Sequence, residues 1–466
     1  MKFLLIIFSF ILFQVAPVIA QLEDSIQLRC IYNEVLERGE CYENLRVLCK
    51  EVGNRLSGSE NAEKAVVWGE ALMKRYGFDR VYLQEIMVPK WVRGSIEKLM
   101  YKDSMKNFEP AILALGGSVG TNGILQGQVI EVRNFKELEE LGKKEIQGKI
   151  VFFNRPMNPT LISTFHAYGG CVDQRHAGAS EAAKYGAIAT ITRSMTLRND
   201  RIPHTGSMSY KEGIKKIPAV AISTVGAYNL SEVLKRNPNL SINLELSCKS
   251  EIEVKSYNVI AEIIGKVYPE KVMVVGGHLD SWDVGEGAHD DGAGVVQSVE
   301  VLRLFKKLSI QPRHTLRCIL FMNEENGNRG GKSYARLVKE KGEEHILALE
   351  SDRGGFSPRG FSVDGTTKQL ETIQRFEALF RPYNLHLFNK GYGGVDIGPL
   401  KDGKICLIGL VPDSQRYFDF HHASSDIWEN VNKRELELGA GATASLIYLI
   451  DKYGFEQGLK RATFKK

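Results

Sequence analysis

At 466 residues the chain is long enough for two or three domains and a large buried core. Its 43% hydrophobic and 25% charged residues are those of an ordinary globular protein, which excludes a disordered or low-complexity chain. The formal charge of +5 is small for this length and Lys and Arg gather into no block, so no nucleic-acid partner is expected.

Residues 1–20, "MKFLLIIFSFILFQVAPVIA", have the form of a secretory signal: Lys2, an apolar run and a small-residue exit ending at Ala20. Cleavage after Ala20 is expected, giving a secreted or periplasmic chain with a mature charge of 5 − 1 = +4. The apolar run is short for a membrane span, and no later stretch is long and apolar enough to make one. Seven Cys, odd in number and scattered, do not make a disulfide scaffold; a Cys30–Cys41 pair is left open, as is a homodimer. Asn229 and Asn239 each begin an N-L-S glycosylation pattern.

Residues 21–75 read as helical, "NAEKAVVWGEALMKRYG" ending on a Gly stop, and 21–105 are taken as the first part of the main domain. Residues 106–250 change texture. β-type runs such as "GKIVFFN" and "IPAVAIST" are separated by Gly and Pro, with one helix-like piece, "ASEAAKYGA", which suggests an inserted, β-rich smaller domain. From 251 to 466, apolar strands ("KVMVVGG", "TLRCILFM", "HILALES", "KICLIGLV") alternate with amphipathic helices. This predicts an α/β domain whose mostly parallel central sheet is flanked by helices on both faces.

In such a sheet, ligands bind beyond the carboxyl ends of the strands. His278, Asp280 and Asp290 follow the first of these strands, within the Gly-rich stretch "GGHLDSWDVGEGAHDDGAGV". Glu324 and Glu325 follow the second, Asp352 the third, and His421, His422 and Asp426 the fourth. Four strands delivering imidazoles and carboxylates to one edge point to a metal, and N and O donors without thiolate suit zinc. Two His and three carboxylates are too many for one catalytic zinc with an open position. They fit two Zn2+ sharing one carboxylate and a bridging hydroxide, the −4 of three carboxylates and a hydroxide balancing +4. Adjacent Glu324 and Glu325 diverge at a strand end, so one can bind metal while the other serves as base.

"HLDSWD", "GAHDDGAG", "NEENG", "ESD" and "FHHASSD", in this order and spacing, resemble the co-catalytic zinc exopeptidases, the carboxypeptidase Q-like branch most of all. "RLSGSENAEKA", "VPKWVRG", "PHTG" and "YFDFHH" extend the resemblance over most of the mature chain. It implies that His278, Asp290 and Asp352 hold one zinc and that Asp290, Glu325 and His422 hold the other. Glu324 would be the general base and acid, and Asp280 would orient the His278 ring with its carboxylate. His422 is preferred to His421 because an Asp lies four residues beyond it. The resemblance also implies a protease-associated cap domain in the inserted region and a cis Asp290–Asp291 peptide. Two positions depart from the pattern: "GGVDIG" stands where many relatives have Ser-Asp-His, and Arg353 follows Asp352. Asp396 and Tyr417 are candidate substrate or oxyanion contacts, with packing the competing role for Tyr417. Asp426 is read as a turn cap, His289 as pointing away, and His204 as a cap-loop residue within reach of the cleft.

The expected function is therefore a secreted zinc-dependent exopeptidase acting on short peptides or dipeptides, with the bridging hydroxide as nucleophile and Glu324 as general base. The acid-rich cleft favours a free amine on the substrate, hence an aminopeptidase or dipeptidase. Arg353 and Arg329 keep a carboxypeptidase open. An amidohydrolase of N-acyl amino acids and an inactive binding protein are the remaining alternatives.

Overall fold

The computed structural model describes residues 22–103 and 106–455, so the expected signal and its cleavage after Ala20 lie outside the described residues. Two eight-stranded sheets organise the chain. The first holds β1 (Arg80–Val88), β2 (Val254–Ile263), β3 (Tyr268–His278), β4 (His314–Phe321), β5 (Glu344–Glu350), β6 (Pro358–Asp364), β7 (Leu387–Lys390) and β8 (Cys406–Pro412). Their spatial order is β1-β2-β4-β3-β5-β8-β6-β7. The four central strands, β4, β3, β5 and β8, are mutually parallel. Antiparallel pairs join β1 to β2, β2 to β4 and β8 to β6.

The central strands read as unbroken apolar runs because both of their faces are covered. Met273 and Val275 of β3 point into a core shared with α1 (Ala293–Lys307) and α3 (Lys433–Tyr453). Val272 and Val274 point the other way, onto Tyr334 and Val338 of α2 (Arg329–Lys341). This is the period-two alternation of a strand. Gly294 at the start of α1 allows the close approach to the strand ends, since a Cβ there would lie 1.7 Å from the Ser351 carbonyl oxygen.

The second sheet takes strands from Glu97–Asp103 to Ser241–Leu246. The strand Glu97–Asp103, counted with the first unit on sequence grounds, is hydrogen-bonded into this second sheet. Its centre is a parallel run through Leu125–Val132, Ile150–Phe153, Ala189–Arg193 and Ala219–Ile222. Helices cover both faces, notably Phe135–Ile146 and Thr224–Arg236, so the unit is less purely β than its sequence suggested. Gly142, at φ 59° inside the first of these helices, and the β-branched and Gly-containing start of the second hide their periodicity. Trp282, from the loop after β3, packs into the core of this second unit and joins it to the site described below.

All seven Cys are unpaired; Cys41 is buried with its thiol facing the Val296 carbonyl, and Cys30 is exposed, so the pair left open above does not form. Among the described residues no helix is long and apolar enough to cross a membrane.

Candidate metal centre

Because β4, β3, β5 and β8 run parallel, their carboxyl ends share one edge. His278 is the last residue of β3, Glu324 and Glu325 follow β4, Asp352 follows β5, and His421 and His422 follow the turn beyond β8. Asp290 lies in the turn entering α1, and the peptide joining it to Asp291 is cis, as expected. Asp290, Glu324, Glu325, Asp352 and His422 line one cleft of about 900 Å3.

Asp290 stands at the centre. Its Oδ1 lies 3.2 Å from His278 Nε2 and its Oδ2 lies 3.3 Å from His422 Nε2. His278 Nε2 is 3.5 Å from Asp352 Oδ1, and His422 Nε2 is 3.1 Å from Glu325 Oε2. Donors bound about 2.0–2.1 Å from a tetrahedral zinc lie about 3.3 Å apart, so these spacings fit zinc coordination. Two clusters of metal-ligand type share that residue: His278, Asp290 and Asp352, and Asp290, His421 and His422. Asp290 Oδ2 and Glu325 Oε1 are buried without a hydrogen-bond partner, an arrangement that costs free energy unless a cation offsets it.

The electrostatics point the same way. Burial works to lower His422, yet the Glu325 and Asp290 carboxylates hold it up at about 9. Burial likewise opposes charge on His278, and Asp290 and Asp352 override it. Burial and the neighbouring carboxylates of Asp352 and Glu325 push Glu324 well above the usual carboxylate range. The cleft is thus a concentration of negative charge that draws positive charge to itself.

The surrounding chain fixes these groups. His278 Nδ1 donates to the Asp280 carbonyl at 2.9 Å, which leaves Nε2 facing the cleft. Asp291 accepts the backbone N–H groups of His278 and Gly294. Arg55, wholly buried, donates to the carbonyls of Leu279, Glu286 and Gly287 and so holds the loop after β3. Asp426 accepts the N–H groups of His289 at 2.7 Å and Asp290 at 3.1 Å.

The sequence model of peptidase family M28 matches residues 258–446. Carboxypeptidase Q of Bos taurus is 35% identical over 422 residues, covering 90% of this chain and 86% of that protein. The Xenopus laevis protein of the same name is 38% identical, over 84% and 82% of the two chains. The chain belongs to peptidase family M28. It is a metallo-exopeptidase. The crystal structure of a peptidase M28 precursor from Shewanella amazonensis superposes with a TM-score of 0.88 at 31% identity, over 92% of this chain and 97% of that one. BSAP, a zinc aminopeptidase from Bacillus subtilis, shares the fold at 19% identity, with a TM-score of 0.63 over 88% and 94% of the two chains.

Within this M28 site several expectations change. The Asp280 carboxylate does not orient the His278 ring, since its nearest oxygen is 3.9 Å from Nδ1 and the Asp280 carbonyl takes that hydrogen. The carboxylate instead accepts the N–H groups of Asn323, Glu324 and Glu325. Asp396 is 0% exposed and does not line the cleft, and both of its carboxylate oxygens are buried without a hydrogen-bond partner. Tyr417 does line the cleft, stacked on Phe165. His421 stacks on His422 with ring centroids 3.5 Å apart, but its Nε2 is 3.8 Å from Asp290, farther than that of His422. His289 turns away, stacked on Phe356. Arg329 pairs with Glu253 and does not line the cleft. Sequence reasoning missed Arg175, which enters the cleft from the second unit, and Glu350, whose carboxylate holds the N–H groups of Val395 and Ile397. Arg175 belongs to no motif quoted above, while Glu350 opens "ESD", in which only Asp352 was given a role. Arg55 and Thr205 lie in "RLSGSE" and "PHTG", quoted for their resemblance but given no role.

Proposed function

We propose that this chain is an exported, zinc-dependent exopeptidase that cleaves short peptides or dipeptides. His278, Asp290 and Asp352 hold one ion; Asp290, Glu325 and His422 hold a second. The observation that carries this reading is Asp290, whose two oxygens reach different histidines at 3.2 and 3.3 Å. Zinc bound there supplies Lewis acidity at the scissile carbonyl and lowers the pKa of water toward neutrality. Glu324 takes a proton from the attacking water as its oxygen bonds the carbonyl carbon. It then passes the proton to the leaving amine as the C–N bond breaks. Tyr417 is the candidate donor to the oxygen of the tetrahedral intermediate. The second unit, roughly 106–250, acts as a protease-associated cap: its Phe165, Tyr168 and Arg175 line the cleft opposite the acids. Export rests on residues 1–20.

The acids favour a substrate with a free amine, so aminopeptidase or dipeptidase activity is the first reading. Two arginines favour a second, in which the substrate carboxylate is read. Arg353 lies over Phe165 and donates to the Tyr392 carbonyl, while Arg175 donates to the Tyr168 hydroxyl. Both line the cleft, and neither pairs with a carboxylate among the described residues. Dipeptides and longer peptides, free or blocked at either end, decide between them when metal content is measured in the same sample. Loss of cleavage on acetylating the amine, with less effect from amidating the carboxylate, supports the first reading. The reverse supports the second, and cleavage undiminished in metal-free protein overturns both.

A further inference from the structure

The cap loop at residues 203–207, Pro-His-Thr-Gly-Ser, is stitched to the segment that carries His421 and His422. His204 and Ala423 form an antiparallel bridge, and the Thr205 N–H donates to the His422 carbonyl at 3.0 Å. His204 Nδ1 donates to the His421 carbonyl at 2.8 Å. In return, the Thr205 carbonyl faces His422 Nδ1 at 3.3 Å. A carbonyl only accepts, so Nδ1 carries a hydrogen toward it, and Nε2 is left as the ring atom that faces Asp290 and Glu325 and can give up its hydrogen to a cation. Arg175 Nη1 also donates to the Thr205 carbonyl, at 3.4 Å, and lies 3.4 Å from His422 Nδ1. With Nδ1 protonated, that last approach is no hydrogen bond. Gly206 permits the crowding: at φ 134°, a Cβ there would lie 2.4 Å from Arg175 Nη1 and 2.6 Å from His422 Nδ1. The loop is itself anchored, Thr205 Oγ1 donating to the Ala114 carbonyl at 2.8 Å. Arg93 donates to that same carbonyl and clasps Asp283 of the loop after β3.

We infer that His204 and Thr205 of the cap are positioning residues for His422, fixing its tautomer and direction, so that seating of the cap loop and metal binding at the His422 site are coupled. This rests on His422 being a metal ligand, as proposed above. Partners of this kind typically contribute about ten- to a hundredfold in metal affinity, and the coupling is reciprocal: what the loop adds to metal binding, the metal adds to loop seating.

The test uses the full chain, stripped with a chelator and titrated with zinc. In the unmodified protein, hydrogen exchange across residues 203–207 should slow as the His422 site fills. His204→Ala, which removes the donor to the His421 carbonyl, should weaken one zinc equivalent about ten- to a hundredfold and leave the other unchanged. His204→Asn, whose amide N–H can take the place of Nδ1–H, should restore most of that loss, which a variant acting only on overall stability would not show. Affinities for both equivalents in His204→Ala that match those of the unmodified protein, or exchange at 203–207 that ignores zinc, overturn the proposal, and the exchange measurement needs no variant. If the unmodified chain takes up one equivalent only, the two-ion assignment fails. Slowed exchange then still supports the coupling, and unchanged exchange still overturns it.

Discussion

Glu324 is held to Asp280 through its backbone: its N–H donates to Asp280 Oδ1 at 3.0 Å. The N–H groups of Asn323 and Glu325 go to the same carboxylate at 2.7 and 3.3 Å. Asp280, wholly buried, therefore anchors the turn that presents both glutamates. Its carbonyl meanwhile fixes His278, so one residue joins the ends of β3 and β4.

Asp280→Asn keeps one acceptor oxygen but turns an amide N–H2 toward a backbone N–H. One buried donor is left unsatisfied, which costs about 1–3 kcal/mol. The urea midpoint should fall accordingly, and kcat should fall with it because Glu324 is no longer held in place. An unchanged midpoint would show that water replaces the carboxylate.

Glu324→Gln preserves size and polarity but removes proton transfer. Turnover should drop by about 10²–10⁴-fold, with metal content and fold near normal. Glu325→Gln should instead lose metal and stability together, because a buried ligand charge has gone. Steady-state rates and metal analysis on both variants check the pair; exchanged behaviours would reverse the two roles.

Asp290 faces histidines on both sides, whereas His278 faces one cluster. Asp290→Ala should therefore release more zinc than His278→Ala. Two full equivalents retained by the Asp290 variant, measured after dialysis, would sink the bridging assignment.

His345 lies far from the metal centre. Arg317 donates to the Tyr334 hydroxyl, which donates to His345 Nε2 at 2.7 Å. Burial lowers His345 to about 4, against about 6.5 in an unfolded chain. Between those values the unfolded state binds more protons, so this group's contribution is fully present above about pH 6.5. It is lost progressively as pH falls toward about 4, by at most ~3 kcal/mol. Urea midpoints over this range should flatten in His345→Gln relative to the parent chain. Parallel curves would assign the acid sensitivity to other groups.

Ligand types, their order and the strand ends that carry them were legible in the sequence by itself. Apolar runs mark buried strands, and a metal needs imidazoles and carboxylates where those strands stop. Asp426, read locally as a turn cap, instead accepts the N–H groups of His289 and Asp290 from a distant part of the chain. Only the tertiary structure decided how Asp280 spends its carboxylate and that Asp396 is wholly buried. It also showed that the second unit reaches in through Thr205 and Arg175 to meet His422. Residues 205 and 422 lie more than two hundred positions apart, and their contact depends on how one sheet docks against another. Periodicity and capping patterns report which face a side chain takes within its own element. They carry no information about which distant backbone carbonyl will stand opposite it once both sheets are packed.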